Sequence, residues 1–587
     1  MLHRPMNTAN RGNLRLAWYV LACLLAVVTY FYGLDSPHAP KNGDEYPYEH
    51  IVRLTAASGD WLPLQSQMDH MRNTKPPLLF WQGIASTGWG EDWDLWHLRY
   101  PNVLYTLLTA AMLFGLGRKL SGNIETGFIA ALTWLAFFTT YRFGRPFLTN
   151  APEVFWIFLP FFVLLYWPQT FKSRFLVPAL LGVSIGIGFL YKSFALGLPV
   201  TLGLTWWYLH NRDYNLIASF KQDAIKVAIA ITVAVGIFAL WFVLDPDPMA
   251  IWQEFVVGEN VGKFDPKGPS YLSKLLWSGS SIWSFTAAFL TNPGLLTFPV
   301  VAMFILVYRR RHELSDNEKL LLIWIAALFI SFALPSQRSG RYLLAAMPAV
   351  ALLCALNWPR ISRKAFIATL MLAGALLAGL AYLAVRLQAE IPASSLGGTP
   401  LYAPMFWILF AATAILLLAA LIIPDFTRPG VNVVALLVLL CFAAFLKPFD
   451  GPLGNFNQET QQYAAGKPVW VPCNFRAKDE GHRFALPGAD VHGYAKYMKF
   501  SASDLSSRYP LFALRMSLSE DPQKYACDDC QIHGQRLVIR DRQTSDEIKA
   551  MFRDGTVLQT MFAHEVLISS PTVSKAVAPT SLAEACR

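Results

Sequence analysis

The sequence predicts a polytopic α-helical membrane protein with a C-terminal soluble α/β domain, and three observations carry that prediction. The 587 residues are 54% hydrophobic and 15% charged, with a mean hydropathy of +0.36, too apolar for an ordinary globular protein. Apolar residues gather in stretches of about 17–25, the length that crosses the hydrocarbon of a bilayer as a helix. After residue 447 those stretches cease, and Asp, Glu, Lys, Arg and Gly are spread throughout.

Reading the stretches in order places spans near 15–34, 96–117, 124–141, 147–168, 175–190, 194–210, 223–244, 288–308, 319–335, 341–357, 363–386, 404–423 and 431–447, about thirteen in all. The first is long enough to span and is followed by Asp, Pro and Lys, with no small-residue cleavage site, so it is expected to be a retained helix. Residues 1–447 then form a transmembrane domain whose first outer loop, 35–95, is structured. Residues 448–587 form a soluble domain of roughly 140 residues, enough to bury a core of its own.

Basic loops set the orientation. Arg4, Arg11 and Arg15, Arg118 and Lys119, Lys172 and Arg174, Arg212 and Lys221, Arg309 to Arg311, and Arg360, Arg363 and Lys364 fall on one side if the spans alternate, and that side is expected to be the cytoplasm. The net charge of +10 fits such loops and anionic lipids; no nucleic-acid-binding motif accompanies it. The outer side carries Asp44 and Glu45, Arg142 and Arg145, Lys192, Glu259, Asn260 and Lys263, and Arg338 and Arg341. Cations there run against the usual bias. Any one could merely snorkel, but several loops converging on one face point to an anionic ligand. Glu259 and Asn260 are as well explained by a helix cap and are not counted as site residues.

The stretch that opens the first outer loop, KNGDEYPYEHIVRLTAASGDW, places two carboxylates before an amphipathic helix with Ile51, Val52, Leu54, Trp61 and Leu62, expected to lie on the membrane surface. A second short helix follows Lys75, its start fixed by two prolines. The carboxylates would sit at the mouth of the bundle.

Taken together, the acidic pair, AlaSerGlyAspTrp, LysProPro before an aromatic, ArgTyrPro from Arg99, TyrLysSer at 191–193 and ArgSerGlyArgTyrLeu from Arg338 resemble the polyprenyl-phosphate-sugar-dependent glycosyltransferases of the GT-C class. That superfamily includes the protein mannosyltransferases and the lipid A aminoarabinose transferases. The resemblance implies a catalytic carboxylate at Asp44, with Glu45 second, and a lipid-phosphate cradle of Lys75, Lys192, Arg338, Arg341 and Tyr342. It implies that Tyr48 lines the cavity, and places Arg142 and Arg145 in the loop before the family's second acidic residue. The sequence departs from the family there: Asn150 occupies the expected place and Glu153 sits one turn on. It departs again at Thr74, where the aminoarabinose transferases carry Glu.

A lipid-linked sugar phosphate has a good leaving group. The chemistry therefore needs cations for the departing phosphate and a carboxylate for the acceptor. No cofactor and no metal are expected: His50, Asp69 and His70 share the first loop without ligand spacing, and there is no Gly-rich nucleotide loop.

In the soluble domain, GlnArgLeuValIleArg reads as a strand and Thr544 to Glu547 as a capping box. Cys23, Cys354 and Cys441 fall in spans and are expected to pack. Cys473, Cys527, Cys530 and Cys586 fall in the outer domain, where three disulfide pairings are possible.

The resulting expectation is an inverting transferase in a bacterial inner membrane, facing the periplasm. It would move a sugar from undecaprenyl phosphate to lipid A or another lipopolysaccharide part. Transfer to a protein hydroxyl is the alternative. A lipid transporter is a third reading, disfavoured because no internal repeat is evident and the charges cluster at one face.

Overall fold

A computed structural model describes residues 8–38, 43–68, 71–263, 271–336, 338–451, 453–474, 476–495, 501–521, 530–540 and 543–571. Helices α1 (Thr8–Phe31), α2 (Glu45–Ser58), α3 (Leu78–Ser86), α4 (Leu95–Ser121), α5 (Ile124–Ala136), α6 (Phe138–Gly144), α7 (Asn150–Tyr166), α8 (Leu176–Tyr191), α9 (Gly197–His210) and α10 (Leu216–Leu244) make up the N-terminal part. A single turn, α11 (Pro248–Ala250), runs into a π-helical stretch Ile251–Asn260. Then follow α12 (Tyr271–Trp277), α13 (Ile282–Thr291), α14 (Thr297–Arg309), α15 (Asp316–Ala333), α16 (Met347–Asn357), α17 (Arg363–Glu390), α18 (Pro404–Ile422) and α19 (Pro424–Leu446).

Each of the thirteen apolar stretches coincides with helical backbone, but the count of thirteen full spans does not carry over. Among the described residues seven helices are long and apolar enough to cross a membrane alone, or eight if a pair bent by 98° counts as one. The shortfall has local causes. Phe137 takes extended backbone angles and splits 124–141 into α5 and α6. Pro293 and Gly294, the latter at φ +64°, break the stretch near 288–308.

Close packing relies on small residues, as expected where helices meet without a hydrophobic gradient between them. A Cβ on Gly182 of α8 would lie 2.6 Å from the Ala230 carbonyl of α10. At one end of the bundle the basic loops meet. Arg15 pairs with Glu125 at 3.8 Å, Trp18 donates to the Pro429 carbonyl, Arg428 to the Ile361 carbonyl and Arg363 to that of Leu421. The opposite end carries the first outer loop and the soluble domain.

Helix α2 begins at the acidic pair and α3 begins directly after Pro76 and Pro77. Helix α2 is covered by protein on two faces, which the reading of it as an amphipathic surface helix did not anticipate. Val52 meets Gly83 of α3 so closely that a Cβ there would lie 2.8 Å away. On the other face, His50 and Arg53 bond Glu480 of the soluble domain.

The soluble domain adds α20 (Gln458–Ala464), β1 (Pro468–Cys473), α21 (Glu480–Ala485), β2 (Asp490–Ala495), α22 (Ala502–Ser506), β3 (Leu511–Met516), β4 (Gln531–Ile539) and β5 (Phe562–Ser569). The strands form one sheet in the order β2-β1-β3-β5-β4. β1 runs parallel to β2 and β3, while β5 is antiparallel to β3 and β4. Alternate residues of β1 and β3 fill two cores, Val469, Val471, Leu511 and Ala513 on one side and Trp470 and Phe512 on the other. The expected strand lies in β4, and Thr544 and Glu547 form the expected capping box. Cys473 and Cys530 are disulfide-bonded; Cys527 and Cys586 lie outside the described residues. Cys23, Cys354 and Cys441 are free thiols within helices.

The domain is fastened to the bundle at two places. Near the C-terminal end of α17, Glu390 accepts from the backbone N–H groups of Val557 and Leu558, beside stacked Phe449 and Phe562. At α2, Glu480 is fully buried among His50, Arg53 and Arg483. His50 accepts from the Gln67 N–H at Nε2, so its ring carries its proton on Nδ1 and donates it to Glu480. Burial alone would raise the Glu480 carboxyl, but bonds from His50 and Arg53 outweigh it and hold the group at about 2.

Candidate active site

Asp44 sits at the start of α2, at the outer end of the bundle. Its Oδ2 accepts from Arg341 Nη1 at 2.6 Å, and its Oδ1 lies 3.7 Å from Arg476 Nη1 of the soluble domain. Arg341 belongs to a 3₁₀ segment, Gly340–Ala346, that leads into α16 and also carries Tyr342. Lys192, at the C-terminal end of α8, bonds Glu153 of α7 at 2.5 Å and lies 5.1 Å from the Tyr342 ring centre. Lys75, just before α3, donates to Glu259 at 2.7 Å. Tyr48 is buried one turn along α2 from Asp44. Burial pushes its hydroxyl up, against the opposing pull of Arg341, with Asp44, Glu259 and Tyr342 adding to the rise.

Three cations from three separate elements thus each hold a carboxylate. Asp44, Tyr48, Lys75, Glu153, Lys192, Arg341 and Tyr342, all anticipated from the sequence, are brought together. The structure adds two residues the sequence reading left out. Glu259 projects from the π-helical stretch, whose wider turn closes with the Val261 N–H bonding the Val256 carbonyl five residues back. Arg476 comes from the loop after β1. Glu259 was set aside as a helix cap and Arg476 has no local signal; each meets its partner only through the fold.

Other anticipated residues stand elsewhere. Glu45 points away from Asp44 and forms a buried two-bond pair with Arg99 at 2.8 Å for each bond, while accepting the Phe147 N–H. Its acceptor capacity is used in bracing the loop against α4. Arg338 donates to the carbonyls of Ala333 and Ser280 at 2.6 and 3.0 Å, so it ties down its own loop and does not join the cluster. Arg145 does the same for the end of α1, donating to the carbonyls of Tyr30 and Tyr32 and to the Tyr141 hydroxyl. Arg142 lies over the Phe138 and Phe143 rings, and the Arg341 guanidinium is 5.8 Å from the centre of the same Phe143 ring. Asn150 is buried at the start of α7, one turn before Glu153.

The bundle holds two apolar cavities. A groove of about 350 Å³ between α8, α9 and α10 is lined by Ile185, Phe189, Phe194 and Phe238. A wider apolar cavity of about 920 Å³ is lined by Phe138, Arg142, Phe298, Leu376 and Phe442. Among the described residues no three His, Cys, Asp or Glu side chains converge as a metal site would require. Asp69 and His70 lie outside those residues.

A multi-pass bundle that gathers three cations, each facing a carboxylate, beneath a small α/β domain is similar in architecture to the GT-C class of polyprenyl-phosphate-sugar glycosyltransferases. Within the class, residues 16–253 match the family model described as dolichyl-phosphate-mannose-protein mannosyltransferase. The chain is 24% identical over 408 residues to an undecaprenyl phosphate-α-4-amino-4-deoxy-L-arabinose arabinosyl transferase of Proteus mirabilis, covering 66% of this chain and 67% of that one. A Pectobacterium carotovorum enzyme of the same description is 25% identical over 54% of this chain, and the match spans little more than half of its length, 56%. The crystal structure of ArnT from Cupriavidus metallidurans bound to undecaprenyl phosphate superposes with a TM-score of 0.57 at 16% identity, covering 96% of this chain and 99% of that one. Its apo form gives 0.59 at 17% identity.

Proposed function

We propose that this protein transfers a pentose of the 4-amino-4-deoxy-L-arabinose type from undecaprenyl phosphate to a phosphate of lipid A, at the periplasmic face of a bacterial inner membrane. The observation that carries the reading is the cluster around Asp44: three cations in reach of one another, each balanced by a carboxylate that a phosphate could replace. The names of the similar proteins supply the sugar and the carrier lipid; lipid A as acceptor is what the family resemblance implies.

Lys75, Lys192 and Arg341 receive the donor phosphate, Arg341 as a planar fork and the lysines as point charges. The isoprenoid tail takes the apolar groove between α8, α9 and α10, and the acyl chains of the acceptor take the wider apolar cavity that Phe138 and Arg142 line. An oxygen of the acceptor phosphate, already ionised at neutral pH, attacks the anomeric carbon from the face opposite the donor phosphate. The new C–O bond forms as the bond to the donor oxygen breaks, the configuration inverts, and undecaprenyl phosphate leaves with the electron pair, its charge held by the cations. No proton need move, so Asp44 orients the acceptor and holds Arg341 in place. With a hydroxyl acceptor, Asp44 would instead take the proton.

That second case is the protein O-glycosylation reading, favoured by the mannosyltransferase family model over 16–253. Mass spectrometry of lipid A and envelope proteins separates the two, using cells that lack this protein complemented with wild type or Asp44→Asn. The proposal expects a pentose on lipid A with wild type only. A hexose on protein would establish the alternative, and an unchanged envelope would overturn both.

A further inference from the structure

We propose that the end of the bundle opposite the Asp44 cluster carries a site for an aminophospholipid, whose headgroup joins a phosphate to a primary ammonium through a two-carbon bridge. A cleft of about 750 Å³ opens there between α1, α5, the turn after α16 and the start of α19, within the range of about 300–1,000 Å³ that holds small ligands. Its charged lining has two side chains of each sign. Arg15 of α1 and Arg428 of α19 are the cations, Glu125 of α5 and Asp425 of α19 the anions.

Both arginines have donors to give an anion. Arg15 lies 3.8 Å from Glu125, with 71% of its side chain exposed; that is beyond hydrogen-bond length, and such a pair is worth little by itself. Arg428 donates from Nη2 to the Ile361 carbonyl at 2.9 Å, while its Nε is buried and meets no acceptor among the described residues. A buried donor without an acceptor is costly, and a phosphate oxygen relieves that cost. The walls around these charges are fixed: Trp18 of α1 donates to the Pro429 carbonyl of α19 at 3.2 Å and meets the Phe426 ring edge-on at 5.1 Å.

The same opening is partly apolar. Leu14 and Ile423 line it at 58% and 50% exposure, and Trp18 and Tyr19 stand beside them. Charged and apolar side chains sharing one cleft suit a molecule with a charged head and acyl chains, and Trp and Tyr favour the level of the headgroups. A free phosphate would use the cations alone. The two acids then choose among lipids. A headgroup of net negative charge, such as phosphatidylglycerol, would set its charge against Glu125 and Asp425, and like charges repel. Phosphatidylethanolamine answers both signs, its phosphate accepting from the arginines and its ammonium donating to the carboxylates. The nitrogen of phosphatidylcholine carries no N–H to donate.

The test uses the full-length protein in detergent, stripped of lipid and mixed with phosphatidylethanolamine, phosphatidylglycerol or phosphatidylcholine of one acyl composition, with retained lipid counted by native mass spectrometry. Wild type should hold phosphatidylethanolamine in preference to the other two. Arg428→Gln loses a charged hydrogen bond and should weaken that binding about tenfold or more. Glu125→Gln combined with Asp425→Asn should erase the preference and bind phosphatidylglycerol at least as well as phosphatidylethanolamine. Binding of undecaprenyl phosphate should stay at the wild-type level in each, because the donor cluster lies at the other end of the bundle. Equal retention of the three lipids by wild type overturns the proposal, as does a preference for phosphatidylglycerol or phosphatidylcholine. So does a preference for phosphatidylethanolamine that survives the loss of both acids. If Arg428→Gln does not fold, the protein lacking the two acids decides alone.

Discussion

The outer end of the bundle holds two populations of cations that look alike in the sequence and differ in what they touch. Arg145 and Arg338 spend their guanidinium groups mostly on backbone carbonyls at helix ends. Lys75, Lys192 and Arg341 face carboxylates. A carbonyl is covalently part of the chain and cannot be displaced without unwinding it, whereas a carboxylate can hand its cation to a phosphate of similar geometry. At the opposite end of the bundle Arg363 and Arg428 follow the first pattern, on the carbonyls of Leu421 and Ile361, while Arg212 and Lys226 hold the buried Asp223 carboxylate.

The comparison can be broken most severely in the cluster. Asp44→Asn keeps the shape of the side chain and removes the charge opposite Arg341, and should lower transfer by roughly 10²-fold through lost positioning while leaving the melting temperature near wild type. Lys192→Ala and Lys75→Ala join it, each expected to cost about 10²–10³-fold in transfer, with weaker binding of undecaprenyl phosphate. If either left donor affinity intact, the carboxylate-paired cations would not be the phosphate cradle.

Arg99→Ala probes a buried fastening that uses both kinds of partner, the Glu45 carboxylate and the carbonyls of Leu34 and Ser36. Removing one partner of the Glu45 pair should destabilise the protein by about 3–5 kcal/mol, read as thermal unfolding in detergent, whereas Arg338→Gln should lower stability without altering donor affinity in the folded fraction. A donor defect in Arg338→Gln would erase the distinction. The smallest effect is on the lock between α2 and the soluble domain. Glu480 is held at about 2 against an ordinary 4.5, so its stabilisation is complete above about pH 4.5 and is lost as pH falls from there toward 2. Hydrogen exchange in α2 should rise over that interval, and Glu480→Gln should flatten the pH dependence.

Much of the architecture was legible in the sequence because apolar runs are a local signal. All thirteen stretches are helical, and the LysProPro start of α3 and the capping box at Thr544 lie where their side chains require. The breaks at Phe137 and Pro293 were harder to see, since each interrupts a stretch whose hydropathy stays high. At the site, Asp44, Lys75, Lys192 and Arg341 stood out as charges at helix ends. Glu45, Arg145 and Arg338 stood out for the same reason, and no sequence pattern reveals whether a cation will find a carbonyl or a carboxylate. Glu259 was weighed and set aside as a helix cap, because nothing local ties it to Lys75, 184 positions away; Arg476 was missed because it belongs to another domain.

The π-helical stretch before Glu259 gives the cluster a dependence on arithmetic. From Ile251 to Asn260 the chain carries more residues per turn than an α-helix would, and Glu259 faces Lys75 at the end of that count. Deleting one residue near Ile251 would turn everything beyond it by about 100° around the helix axis, swinging the carboxylate away from Lys75 without changing any side chain in the cluster. The acidic partner of Lys75 is therefore specified by a length as much as by a residue type, and a relative could lose it through a single-codon deletion that leaves every charged residue in place.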